Sequence, residues 1–353
     1  GCYVVEGSGP NGDEEDSDTA TFVDVQASDV VLDGDGNTID GTDSGEAIRI
    51  DGAYSNVTVR NVTLTDWATG VYVRDADAVT VEDTTVRSSG TGVTLDRTTN
   101  ATAERVNAST NTDHGVHLRD SPGGVLANVT AGGNTKSDVY VENSDGATVR
   151  DAAFSSGGAH GLLVKDSPNT SVVNVTAENV ATDGISVDSS GNTDVRESTV
   201  RNVGRHGVFV TGSPAAAVVG VVAEDLSLDG VHVESSDDVV VRDSIARRTG
   251  QHGFHVVDAK GNASVRNNTA ANDTGDGFRV HHSDGSVVAG NTARDDGAAG
   301  IRVSSELTVV RDNRLERNAN GVYLEKHSHT VEGNTVRENG YGITLDGDGT
   351  TVA

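Results

Sequence analysis

A four-residue pattern, Gly-apolar-x-apolar, recurs along the chain. It reads GVYV from Gly70, GVTL from Gly92, GVHL from Gly115, GLLV from Gly161, GISV from Gly184, GVFV from Gly207 and GVHV from Gly230. It continues as GFHV from Gly253, GFRV from Gly277, GIRV from Gly300, GVYL from Gly321 and GITL from Gly342, with DVYV from Asp138 filling the one gap. Successive occurrences lie 21 to 24 residues apart. AIRI from Ala47 and FVDV from Phe22 extend the series upstream, which makes about fifteen units. Each unit carries a second alternating run, such as VTVRNVTL from Val57, ATVRDAAF from Ala147 and VVVRDSIA from Val239. Alternation with β-branched residues predicts strands. Asn, Asp and Gly stand where it breaks, and these residues tolerate tight bends. A unit of about 23 residues holds three short strands and three bends. It cannot bury its own apolar face, so it must stack on its neighbours. The pattern predicts an all-β, single-stranded parallel β-helix of about 14–15 coils over residues 21–353. At about 4.8 Å per coil, fifteen coils would span roughly 70 Å.

Composition agrees with a thin stacked core. There are 55 Val against 13 Leu, only 3% aromatic residues, and 4 Pro. Val suits a pleated surface, and Pro would remove ladder donors. Val, Leu, Ile and Phe together number 80 of 353, close to the level at which high charge suggests disorder. The periodicity decides against disorder. No apolar run approaches the roughly 18 residues of a membrane span. A single Cys excludes an internal disulfide framework.

The formal charge is −28, from 38 Asp and 16 Glu against 22 Arg and only 4 Lys. Nucleic acid is excluded as a partner, because phosphate binding needs a basic face. Charge of this density repels itself in dilute buffer and is screened in molar salt, so the composition points to a halophilic protein. Residues 1–20 stand apart from the repeats. GCYVV reads as one short strand, and GPNGDEEDSD (Gly9 to Asp18) reads as an acidic loop. Cys2 reads as an outward strand position, with a lipidated lipobox tail as the alternative. TTVA (Thr350 to Ala353) stops inside a strand, which implies a parent chain that continues or an end capped by another subunit.

The segment SDVVLDGDGNTIDG (Ser28 to Gly41) and the repeated N-x-T…G-[IV]-x-[VL] resemble the right-handed parallel β-helix repeats of the pectate-lyase-like superfold. They resemble in particular the NosD-type copper-binding surface and periplasmic proteins of halophilic archaea. The resemblance covers about residues 20–353. It implies a right-handed helix and an extracellular or cell-surface location. It specifies fold more than function, since the superfold hosts lyases, hydrolases, epimerases, binding proteins and phage spikes.

In Gly-apolar-x-apolar the x side chain points away from the core. Read coil by coil, x is Arg49, Tyr72, Thr94, His117, Tyr140, Leu163, Ser186, Phe209, His232, His255, Arg279, Arg302, Tyr323 and Thr344. The residue before Gly adds a flanking file of His114, His160, Asp183, His206, Asp229, His252 and Asp276. Between Gly207 and Gly300 the two files are expected to meet on one exposed face, joined by Glu234 and His281. In sugar-chain lyases and epimerases of the superfold, one strand ladder binds the polymer. That chemistry needs a base for the C5 proton and a cation beside the uronate carboxylate. His232 or His255 would serve as base, and Arg279 or Arg302 as cation. Tyr72, His117, Tyr140, Phe209 and Tyr323 would contact sugar rings, with His206, Asp229, His252 and Asp276 beside them. Plain cross-strand packing accounts for the same residue types.

No cofactor is required by this reading, although a divalent cation such as Ca²⁺ is compatible with it. His252 with His255, or His281 with His282, are the pairs available to a transition metal. DGDGN from Asp33 fails the EF-hand pattern, because Thr38 stands where Gly is needed and Ser44 where Glu is needed. Ten N-x-S/T sequons occur. Those at Asn61, Asn128, Asn174 and Asn267 follow from the bend template, leaving Asn56, Asn100, Asn107, Asn169, Asn262 and Asn272 as glycosylation candidates. The leading expectation is an exported halophilic protein that binds, and in one version processes, acidic polysaccharide or glycan. The alternatives are a stalk, adhesin or filament subunit stacked end to end with copies or other surface proteins, and a polysaccharide lyase or C5-epimerase.

Overall fold

The computed structural model describes residues 2–4 and 21–353, with side chains described for the latter. The expectations about the Cys2 side chain and the acidic loop Gly9 to Asp18 therefore lie outside the described residues. Residues Cys2–Val4 form a strand that pairs parallel with Val31–Asp33. The described chain is an all-β parallel solenoid of about 14 turns with roughly 23 residues per coil. Among the described residues no helix is long and apolar enough to cross a membrane. The chain divides into two compact units, Gly1–Ala181 and Thr182–Ala353.

In the first unit, the Gly-apolar-x-apolar segments and their upstream counterparts form one ladder sheet. Its strands include Glu46–Asp51, Thr69–Arg74, Thr91–Asp96, Val116–Arg119, Val139–Glu142 and Leu162–Lys165, all parallel. Register is maintained through Arg49, Tyr72, Thr94, His117, Tyr140 and Leu163, which stand directly above one another. The second alternating run supplies the other wall. Some of its strands bend without breaking, as in Thr58–Thr65 at Asn61 (φ 57°) and Thr80–Arg87 at Asp83 (φ 47°). Left-handed backbone of this kind is what Asn and Asp accept at least cost.

The second unit repeats the plan. Its ladder strands are Ile185–Asp188, Val208–Thr211, Val231–Glu234, Phe254–Val257, Phe278–His281, Ala299–Ser304, Asn320–Glu325 and Tyr341–Asp346. The apolar positions of each strand face inward. Phe254 and Phe278 are buried and stack with ring centroids 5.0 Å apart. The recurring Gly has a steric cause. A Cβ built on Gly230 would lie 2.5 Å from Ala246 Cβ and 2.5 Å from the Gly253 carbonyl oxygen. At Gly230 the ladder strand thus passes too close to the far wall and to the next coil for a side chain.

At the corners the strand ladders lapse, and buried polar side chains stacked in files take over. One file in the first unit is Ser. The Thr98, Ser121 and Ser144 N–H groups donate to Ser121, Ser144 and Ser167 Oγ at 3.0, 3.0 and 2.9 Å. A file in the second unit is Asn. The Asn268, Asn291 and Asn313 N–H groups donate to Asn291, Asn313 and Asn334 Oδ1 at 2.9, 2.8 and 2.9 Å. Their Nδ2 groups donate inward to the Val241, Val265 and Val288 carbonyls, each at 2.9 Å. Every acceptor meets the N–H of an adjoining coil, so few corner donors remain unpaired.

A second such file mixes Asp and Asn. Asp273 N–H donates to Asp296 Oδ1 at 3.1 Å, Asp296 N–H to Asn318 Oδ1 at 2.9 Å, and Asn318 N–H to Asn339 Oδ1 at 2.8 Å. Asn318 Nδ2 donates to the Ala293 carbonyl at 3.2 Å, whereas Asp273 Oδ2 and Asp296 Oδ2 are buried without a partner. Burial pushes the Asp273 carboxyl up to about 7, and burial together with the Asp273 charge pushes Asp296 up to about 8.

Two outcomes are expected. An Asp whose folded pKa exceeds its unfolded value contributes fully below pH 4 and loses that contribution as pH rises through about 8. Asp296→Asn should therefore leave the thermal midpoint nearly unchanged at pH 4 and raise it increasingly up to pH 8. The slope is at most about 1.4 kcal/mol per pH unit. A pH-independent difference between the two proteins would refute the buried-carboxyl account. Gly230→Ala should destabilise by about 2–3 kcal/mol, read as a lower denaturant midpoint, because backbone atoms must move.

Candidate functional site

The flanking file in the second unit is a fourth kind of corner stack, built from alternating Asp and His. His206 N–H donates to Asp183 Oδ1 at 3.0 Å, and Asp229 N–H points to His206 Nδ1 at 3.4 Å. His252 N–H donates to Asp229 Oδ1 at 2.8 Å, and Asp276 N–H to His252 Nδ1 at 2.9 Å. Ala299 N–H closes the series on Asp276 Oδ1 at 2.9 Å. Asp Oδ1 and His Nδ1 are both attached to Cγ, so either residue presents an acceptor at the same reach. Accepting a backbone N–H fixes the tautomer: His252 carries its ring proton on Nε2.

This geometry corrects the expectation of a fully exposed face. Asp229 and Asp276 are buried at 0% and 2% exposure, and His206 at 4%. Alternation places side chains only within a strand. The residue before Gly sits at the corner, where its acceptor atom must reach the adjoining coil, and that requirement draws the side chain out of solvent.

The ladder positions themselves behave as expected in register. Phe209, His232, His255, Arg279, Arg302 and Tyr323 occupy six consecutive strands, each directly paired with the next. Their side chains are half-buried because each covers its neighbour. Ring centroids lie 5.4 Å apart for Phe209 and His232 and 4.6 Å for His232 and His255. Arg302 lies over the Tyr323 ring at 5.1 Å and pairs with Glu325 at 2.5 Å. Arg279 Nη1 is 3.7 Å from Asp276 Oδ2, and the Nε atoms of both arginines are buried without a hydrogen-bond partner.

The two files meet at Asp229. Its Oδ2 lies 2.7 Å from His232 Nδ1, 3.4 Å from His255 Nδ1 and 3.6 Å from His206 Nδ1. Burial alone would raise the Asp229 pKa. Hydrogen bonds from His232, His255 and the His252 amide outweigh it and hold the carboxyl well below the usual range. Burial, reinforced by the neighbouring His232, pushes His206 down to about 4, and burial lowers His252. Asp229 is thus a carboxylate surrounded by imidazoles. His255 Nε2 is buried and has no partner.

The other sequence-predicted residues fall elsewhere. His117 stacks on Tyr140 in the first unit, with centroids 4.8 Å apart, and its Nε2 lies 3.2 Å from Glu142. Tyr72 stands two strands before His117 in the same ladder. His281 stacks on His282 at 3.7 Å, away from Asp229, and His282 pairs with Asp258 at 3.3 Å. Asp33 of DGDGN accepts from Arg60 Nε at 2.9 Å and from the Asp35 N–H at 3.0 Å, so it closes a turn. Asn56, Asn100, Asn169, Asn262 and Asn272 have φ between 30° and 60°, which makes them bend residues like the four already set aside. Asn107 alone among the six glycosylation candidates lies in a strand, where it is exposed. Glu325, which clamps Arg302 and Ser304, carries no signal in the repeat pattern.

A family model described as right-handed beta helix region matches residues 19–122, 46–200 and 206–353. Comparison with curated proteins by sequence finds no match. Among solved structures, the chain is similar to the A-module of mannuronan C-5 epimerase AlgE4 from Azotobacter vinelandii. Identity is 16% over 100% of this chain and 89% of that one, with a TM-score of 0.51. It is also similar to the periplasmic alginate epimerase AlgG, at 12% identity over 79% of this chain and 76% of that one, with a TM-score of 0.52. At such identities the likeness concerns the fold. On the repeat, the parallel ladders and the family match together, the chain belongs to the right-handed β-helix family.

Proposed function

We propose that the second unit binds an acidic polysaccharide along its ladder sheet. One observation carries the proposal: Arg279, Arg302 and Tyr323 stand on three consecutive paired strands. Beside them lie His232 and His255 in the same register. Two guanidinium groups one coil apart suit successive carboxylates of a uronate polymer, since Arg recognises carboxylate by paired N–H donors. Tyr323, already under Arg302, presents a ring of the kind that stacks on sugars. On a chain of charge −28, Arg279 and Arg302 supply positive charge that an anionic polymer requires. The two structural neighbours are named as epimerases of mannuronan and alginate, which agrees with a carbohydrate role.

The reading extends to an exported or cell-surface halophilic protein, supported by the charge and the scarcity of Lys. A version with turnover is favoured by the pairing of Asp229 with His232 at 2.7 Å. A carboxylate that accepts from Nδ1–H leaves Nε2 free to take a proton, as base chemistry at C5 requires.

The test is titration of the full chain with alginate, pectate and other uronate polymers in dilute and in molar KCl. Binding is expected, and Arg279→Ala and Arg302→Ala should each weaken it at least tenfold, as loss of a charge-assisted bond of about 1.5–3 kcal/mol implies. Tyr72→Ala, in the other unit, should leave it unchanged. Binding that survives both arginine changes, or none with any uronate, would overturn the proposal. Unsaturated ends by absorbance, or altered sugar configuration by NMR, would report turnover, and His232→Ala should abolish it.

A further inference from the structure

We infer that His206, Asp229 and His232 form a binding site for one divalent transition-metal ion of the Zn²⁺ class. The three residues come from two adjoining coils, and their ligand atoms lie within 4.8 Å of one another. His206 Nδ1 and His232 Nδ1 lie 3.6 and 2.7 Å from Asp229 Oδ2. An ion about 2.0–2.1 Å from each ligand sets ligand atoms roughly 3.3 Å apart in a tetrahedron, so both distances to Asp229 Oδ2 need to change by less than about 1 Å and the His206–His232 separation by at most about 1.5 Å. Imidazole nitrogen with carboxylate oxygen is a donor set that suits such ions over Mg²⁺ or Ca²⁺.

The surroundings already hold the ligands as a metal site requires. Asp229 Oδ1 is anchored by the His252 N–H at 2.8 Å, which leaves Oδ2 to the ion. Orientation of this kind by outer partners is characteristic of built metal centres. The N–H contact now made by His206 Nδ1 is long, 3.4 Å, and is the weakest link of the Asp–His file. The equivalent contact at His252 is 2.9 Å, so the neighbouring set of Asp229, His252 and His255 is the more firmly committed to the backbone. His255 contacts Asp229 Oδ2 at 3.4 Å and serves as a second outer partner. Two imidazoles and one carboxylate leave a fourth position for water, reached from the side of His232, whose side chain is 14% exposed. The ion would replace the proton now shared between His232 Nδ1 and Asp229.

The test titrates ZnCl₂ into chelator-treated full-length protein by calorimetry, in molar KCl with excess Mg²⁺ to saturate the many surface carboxylates. One equivalent is expected to bind with micromolar or tighter affinity. His206→Ala and His232→Ala should each weaken it at least 100-fold, while His117→Ala and His281→Ala leave it unchanged. Circular dichroism confirms that the variants fold. Co²⁺ loading gives a second readout, with visible bands expected in the parent and absent from His232→Ala. No stoichiometric Zn²⁺ binding, or binding that survives both changes in folded protein, overturns the site. Arg279→Ala and Arg302→Ala should retain Zn²⁺, which keeps this result separate from that for the polymer.

Discussion

Everything in this structure depends on how each backbone N–H finds an acceptor in the adjoining coil. Along the strands the parallel ladders provide it. At the bends the left-handed residue still donates to a backbone carbonyl of the adjoining coil, as Asp120 does to Glu142 and Asn267 to Ala289, and the residue after it donates to a stacked side chain, as Ser121 does to Ser144 and Asn268 to Asn291. Ser Oγ, Asn Oδ1, Asp Oδ1 and His Nδ1 all fill this role in different files. An unpaired buried N–H would cost about 1–3 kcal/mol, and the corners recur in every coil. The files are therefore as necessary to the fold as the apolar core.

The candidate site grows out of this scaffolding. Asp229 accepts a backbone N–H with one oxygen and gathers His232 and His255 with the other. Its ionisation follows from the same arrangement, since donors on both sides stabilise the charge that burial opposes. The Asp273–Asp296 file shows the contrast. There each carboxyl has one oxygen satisfied and one stranded, and burial prevails. Equal residue types at equal depth thus have their pKa values moved in opposite directions, decided by the donors at the second oxygen.

Much of this was legible in the sequence, because a coil repeat is a one-dimensional object. The Gly-apolar-x-apolar spacing placed the ladder strands, and register followed from it: Phe209, His232, His255, Arg279 and Arg302 do stand in one column. The chemistry of the flanking file was harder to read. The alternation of Asp and His at positions 183, 206, 229, 252 and 276 was visible, but alternation rules apply within strands and not at corners. Sequons were ambiguous for a related reason. Asn in left-handed bends and Asn in glycosylation signals share a tripeptide.

The sequence by itself determined the all-β solenoid, the coil length, the inward Val and the column of His, Arg and Tyr. These follow from local alternation and from steric exclusion at the recurring Gly. Only the tertiary structure decided which polar groups are buried, which histidines accept from the backbone, and that three imidazoles surround a single carboxylate. Those outcomes turn on distances between coils about 23 residues apart in the chain, where side-chain reach and hydrogen-bond competition, not periodicity, settle each partner.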